Sequence, residues 1–126
     1  ACLHKLKDRG YKILAMTLRE PSIDLQAVKL DSRATLCFGS EVPGLTDAAH
    51  DLADEFIKVP MFGFTQSFNL SVCAGISLNL LTTQLRESKI NWQLDGEDKL
   101  NLIIDWLSKS TPTGKVLLDK FIEACG

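Results

Sequence analysis

The chain has no cysteine pair at C-x-x-C spacing and only two histidines, His4 and His50, so it offers no zinc-ligand cluster. No apolar run approaches the roughly 18 residues that a membrane helix needs, and no basic segment followed by an apolar one marks a secretory leader. The excess of positive charge that grips nucleic-acid backbones non-specifically is also missing: 14 Lys and Arg stand against 16 Asp and Glu. Neither G-x-G-x-x-G nor G-x-x-x-x-G-K-[S/T] occurs, which argues against a generic nucleotide-binding α/β domain. These absences lead us to expect a soluble cytoplasmic protein without a metal or a membrane partner. The four cysteines are widely spaced, and Cys37 and Cys73, embedded in apolar runs, read as small core residues in a reducing compartment.

What is present is enough apolar sequence, 45% of 126 residues, to build one domain core. Residues 2–9 read as the tail of a basic helix closed by Gly10, the residue type that favours a left-handed turn after a helix. Residues 11–18 follow as a nearly unbroken apolar run, which fits a parallel strand covered on both faces. Pro21 ends it, and residues 23–30 read as a short helical turn. A second apolar strand, 34–38, runs into the loop Gly39-Ser40-Glu41-Val42-Pro43-Gly44, where Gly39 permits close approach of a ligand or another backbone. Thr46 is an N-cap for a helix to about residue 53, and His50 on that helix reads as a surface histidine, as does His4. Residues 56–59 form a third strand that Pro60 stops.

The chain is organised around residues 59–76, a strand end, a polar loop and the abrupt start of an oily helix. Ser67, Asn69 and Ser71 are suited to capping the unpaired amides of that helix. From 70 to 81 its apolar residues cannot share one stripe, which predicts burial on more than one face, by a sheet and by a partner. Two amphipathic helices follow, at 97–109 and 115–125, separated by Thr111-Pro112-Thr113-Gly114 and read as packing elements.

Three stretches in order, residues 38–45 (FGSEVPGL), 57–63 (IKVPMFG) and 66–72 (QSFNLSV), resemble the second and third motifs of the SpoU-type RNA ribose 2′-O-methyltransferases of the SPOUT superfamily, in particular the tRNA guanosine branch and its rRNA relatives. The likeness runs from the opening helix to about Gln84, with Phe68 in place of the usual Leu and Leu70 in place of the usual Val. It implies an α/β fold: a parallel sheet with helices on both faces and a deep trefoil knot, in which residues 59–81 are tucked through a loop made by the preceding strands. Residues 1–89 would then be a partial methyltransferase domain and 90–126 a helical extension packing on the domain or on a dimer. The family's first motif, an Asn and an Arg, would lie upstream of Ala1, where the chain starts inside a helix without an initiator Met.

The resemblance further implies S-adenosyl-L-methionine as cofactor, a tRNA or rRNA substrate and a homodimer. Carried onto this sequence, the cofactor-binding positions are Met16, Thr17, Leu18, Gly39, Val59, Met61, Gly63 and Phe68; Glu41, Ser67 and Asn69 fall on the residues that organise catalysis. The residues themselves leave alternatives open: Glu41 as a loop carboxylate accepting backbone amides, Asn69 as a cap, and the whole chain as an inactive knotted scaffold that binds RNA or protein.

Overall fold

The computed structural model describes residues 2–65 and 67–125. Its contacts divide the chain into two units, Ala1–Ile90 and Asn91–Gly126. The first is built on β1 (Lys12–Met16), whose Ile13, Leu14 and Ala15 are all buried. Three consecutive buried residues need cover on both faces, because side chains alternate along a strand.

Strand β1 pairs in parallel with β3 (Ala34–Phe38), Leu14 opposite Leu36, and with β4 (Glu55–Lys58), Met16 opposite Ile57. A two-residue strand β2 (Ile23–Asp24) joins the far side of β4, giving the order β2-β4-β1-β3. The last strand among the described residues has thus been inserted between two earlier ones rather than added at the edge.

One face is covered by Leu25 and Val28, from and just after a 3₁₀ turn (Leu25–Ala27), and by Leu81 of α3 (Leu70–Glu87), which pack with Leu14 and Ile57. The other face meets α1 (Cys2–Asp8) and α2 (Asp47–Leu52), both in contact with β1. Residues 23–30 are therefore a strand fragment and a 3₁₀ turn rather than a helical turn, because Ile23 and Asp24 find backbone partners on β4 that no local pattern advertises.

Gly10 has φ of 77°, as its place after α1 requires. Thr46 caps α2 by accepting from the Ala49 amide, and Asn69 caps α3 by accepting from the Ser71 amide at 2.9 Å. Asp54 ties the sheet together, its Oδ2 accepting from the Ile13 amide at 2.7 Å and its Oδ1 from Lys7 Nζ at 3.0 Å. Together these contacts hold the Asp54 carboxyl below its ordinary value, the Ile13 amide most strongly.

Within a single chain, helix α3 receives from the sheet the first half of the cover expected for it. Only Ser77 and Leu81 are buried, whereas Leu70, Val72, Ile76 and Leu78 are 37–55% exposed. A helix lying on a sheet covers one stripe with its own chain, and its remaining apolar surface stays open.

The second unit is a helical hairpin, α4 (Gly96–Ser110) and α5 (Gly114–Cys125). Asp95 caps α4 by accepting from the Asp98 amide at 2.8 Å. Gly114 lets the two helices meet closely: a Cβ there would stand 2.6 Å from the Leu107 carbonyl oxygen. No residue of α4 is buried, and Trp106, Leu107, Leu117 and Phe121 are exposed.

Candidate functional site

Parallel strands deliver their carboxyl ends to one edge of a sheet, and the loops leaving those ends form the usual ligand crevice of α/β proteins. Here they enclose a cavity of about 450 Å³, within the ordinary range for small-molecule sites. The end of β1 supplies Met16, Thr17, Leu18 and Arg19, and the end of β3 supplies Phe38 to Glu41 with Pro43, Gly44 and Leu45. Lys58, Val59 and Met61 come from the end of β4, Ser67, Phe68, Leu70 and Cys73 from the entry to α3, and His50 from α2.

Most of the positions expected from sequence therefore meet in one place. Met16, Thr17, Leu18, Gly39, Val59, Met61 and Phe68 line the cavity, with Glu41 and Ser67 beside them. Gly63 does not line it; with φ of 123° it makes the bend at the loop tip, between the exposed Phe62 and Phe64. Asn69 does not line it either, since its side-chain oxygen is turned to the Ser71 amide. Gln66 lies outside the described residues.

Gly39 is constrained by its own loop rather than by a ligand: a Cβ there would overlap the backbone of Gly44 and Leu45. The loop closes on itself through the Ser40 amide, which donates to the Gly44 carbonyl at 3.3 Å. Cys73 on the wall is partly buried, and burial pushes its thiol up, away from the reactive thiolate.

Two cations at the cavity are already paired. Arg19 donates to Asp47 Oδ1 at 2.8 Å and Lys58 to Glu20 Oε1 at 2.7 Å. Lys58, bonded to that carboxylate, is raised above its ordinary value, and Glu20 is lowered by the same bond and by the Ser22 amide. Among the described residues no cluster of His, Cys, Asp and Glu could hold a metal. A separate depression on α4, lined by Ile103, Trp106, Leu107, Lys109 and Ser110, gathers no such polar set, and Lys109 is held by Asp105 at 2.7 Å.

A model of the SpoU rRNA Methylase family matches residues 1–79. The chain belongs to this family. Curated SpoU relatives include a tRNA (guanosine(18)-2′-O)-methyltransferase of Borreliella burgdorferi, 38% identical over 79% of this chain and 46% of that protein. A protein of the same name from Thermus thermophilus is 36% identical over 82% of this chain and 55% of its own. Among solved structures, the A. aeolicus TrmH/SpoU tRNA modifying enzyme superposes with a TM-score of 0.63 and 34% identity, covering 68% of this chain and 44% of that one. The chain thus spans about half the length of the curated SpoU proteins it matches.

Among the cavity residues not expected from the sequence are Arg19, Lys58 and His50. Arg19 directly follows the strand expected at 11–18 and Lys58 lies within the one expected at 56–59, so their place followed once the strands were known. His50 was misplaced on the surface; it is 8% exposed. Helix α2 turns it onto the sheet, where Phe56 packs against it at 5.3 Å, ring edge to face. Its neighbours Ala49, Leu52 and Ala53 are all at least half-buried, and that apolar company was the available signal.

Proposed function

We propose that this chain forms the methyl-donor half of an RNA ribose 2′-O-methyltransferase, binding S-adenosylmethionine and acting on tRNA or rRNA as its curated relatives are named to do. The single observation that carries the reading is the convergence of three strand ends and the entry to α3 on one cavity. The donor set fits that cofactor. An apolar floor of Met16, Phe38, Val59 and Phe68 suits a nucleoside, and Glu41 suits the neighbourhood of a cation. Because Arg19 and Lys58 are both neutralised by carboxylates, the cavity offers little to a polyphosphate and is better matched to a sulfonium.

When bound, the cofactor supplies an electrophilic methyl group. The rest falls to the chain. A ribose hydroxyl is a poor nucleophile near neutral pH, so orientation and removal of its proton must supply much of the acceleration. Met16, Thr17, Leu18, Gly39, Val59, Met61 and Phe68 hold and orient the donor, and Leu45 and Leu70 exclude water from it. Glu41 and Ser67, on the cavity wall, are the groups placed to accept or relay the hydroxyl proton. Asn69 acts indirectly, by fixing the start of α3 and so the position of Phe68.

Val72, Ile76 and Leu78, apolar residues of α3 that its own chain leaves partly open and that flank the buried Ser77–Leu81 stripe on either side, are where a second copy would pack. The other reading, a knotted scaffold without turnover, draws on Asn69, whose side chain is engaged as a cap and does not reach the cavity. Calorimetric titration of the folded protein with S-adenosylmethionine separates the two. Saturable binding at about one site per chain is expected; a folded protein that takes up none would favour the scaffold.

A further inference from the structure

We infer that His50 is a positioning residue for the donor site: it sets the conformation of Thr17 and with it the wall that residues 17–18 present to the ligand. This rests on the methyl-donor reading above. The imidazole is buried on α2, yet its two polar contacts reach in opposite directions. Nδ1 stands 3.0 Å from the Thr46 carbonyl oxygen, and Nε2 stands 3.0 Å from Thr17 Oγ1, 33 residues away in sequence.

A carbonyl oxygen can only accept, so Nδ1 carries the ring proton and a neutral ring leaves Nε2 as an acceptor. The Thr17 hydroxyl then donates to Nε2. Its oxygen is at the same time the acceptor for the Arg19 amide at 3.2 Å, a bond that turns the chain sharply just after β1. The Thr17 amide itself donates to the Ile57 carbonyl at 3.0 Å, so the residue links β1, β4 and α2.

Both ring nitrogens are occupied, which removes His50 as a base for the substrate hydroxyl while these bonds last. Its effect passes through Thr17. With no acceptor at Nε2 the Thr17 hydroxyl proton would turn toward the cavity, and the side chain would lose the contact that fixes its rotamer against α2. The exposed Arg19–Asp47 pair joins the same loop to the same helix, but a solvent-screened ion pair is a weaker and less directional tether. Thr46 loses little without the ring, because its carbonyl also accepts from the Ala49 and His50 amides at 3.0 and 3.1 Å.

Two readouts test the inference. In protein carrying His4→Gln, the single remaining imidazole should show the nitrogen spectrum of the Nδ1–H tautomer, and Thr17→Val should shift its Nε2 signal. In calorimetry with S-adenosylmethionine, Thr17→Val and His50→Phe should each weaken binding about five- to tenfold, the range expected for one lost hydrogen bond, and Thr17→Ser should restore most of the loss. An Nε2–H ring would overturn the inference. So would a parent protein that binds the donor alongside variants that bind it within about twofold, given a native circular dichroism spectrum for each. A folded parent that binds no donor sinks the methyl-donor reading and the role of His50 with it.

Discussion

Strand β1 and the first three turns of helix α3 are both rich in apolar residues, yet Ile13 and Ala15 are 0% exposed while Leu78 is 55% exposed. A central parallel strand draws all its cover from its own chain, with β3 and β4 at its sides and helices above and below. A helix at the outside of the sheet draws cover on one side only. Apolar composition therefore says that a surface is to be covered, and topology says by whom.

The largest effect that bears on this contrast should come from the strand. Leu14→Ala would remove a side chain packed among Leu25, Val28, Ile57 and Leu81 and cost about 2–5 kcal/mol of unfolding free energy, read from chemical denaturation. A loss well under 1 kcal/mol would mean that β1 is less enclosed than described. Gly39→Ala comes next. The new methyl would collide with the backbone of Gly44 and Leu45, costing about 1–3 kcal/mol and disordering the donor loop, so that donor affinity falls further than stability alone explains.

Asp54→Asn should cost about 1 kcal/mol, because the amide oxygen can still accept from Ile13 but the charge that favours this bond and Lys7 is gone. The same carboxylate gives a pH signature. Its folded-state pKa lies below the ordinary 3.8, so its contribution is fully present above the unfolded value and drains away as pH falls through the folded one. The wild-type protein should therefore lose stability faster than the Asn variant as acid is added below about pH 4. The smallest effect on the fold of a single chain belongs to α3. Leu78→Ser should change unfolding free energy by about 0.5 kcal/mol or less at concentrations where the chain is monomeric. In sedimentation at micromolar concentration it should nevertheless shift the population toward monomer, and an unchanged profile would take a second copy off that helix face.

Much of the fold was legible because local chemistry and global position agreed. Residues 34–38 read as a strand and are one, Thr46 and Asn69 read as caps and both accept the amides expected of them, and Gly10 adopts the left-handed turn. β2 was not legible, because two residues paired to a strand more than thirty positions away leave no periodicity. The loops of the site were legible from the strand-loop-helix layout at 59–76 and from family likeness, since a lining that is mostly apolar, with Arg19, Glu41 and Lys58 scattered over separate loops, carries no ligand motif of its own. His50 shows the complementary failure: a lone histidine on a six-residue helix carries no ligand spacing, and its burial depends on which face α2 turns to the sheet.

The most direct test of the central claim is a titration of the isotope-labelled protein with S-adenosylmethionine, followed through its backbone amides. The account predicts that Thr17, Leu18, Gly39, Ser40, Met61 and Phe68 shift together along one saturable curve. Saturable shifts confined to α4 and α5, or a folded protein in which none of those six amides responds, would contradict it.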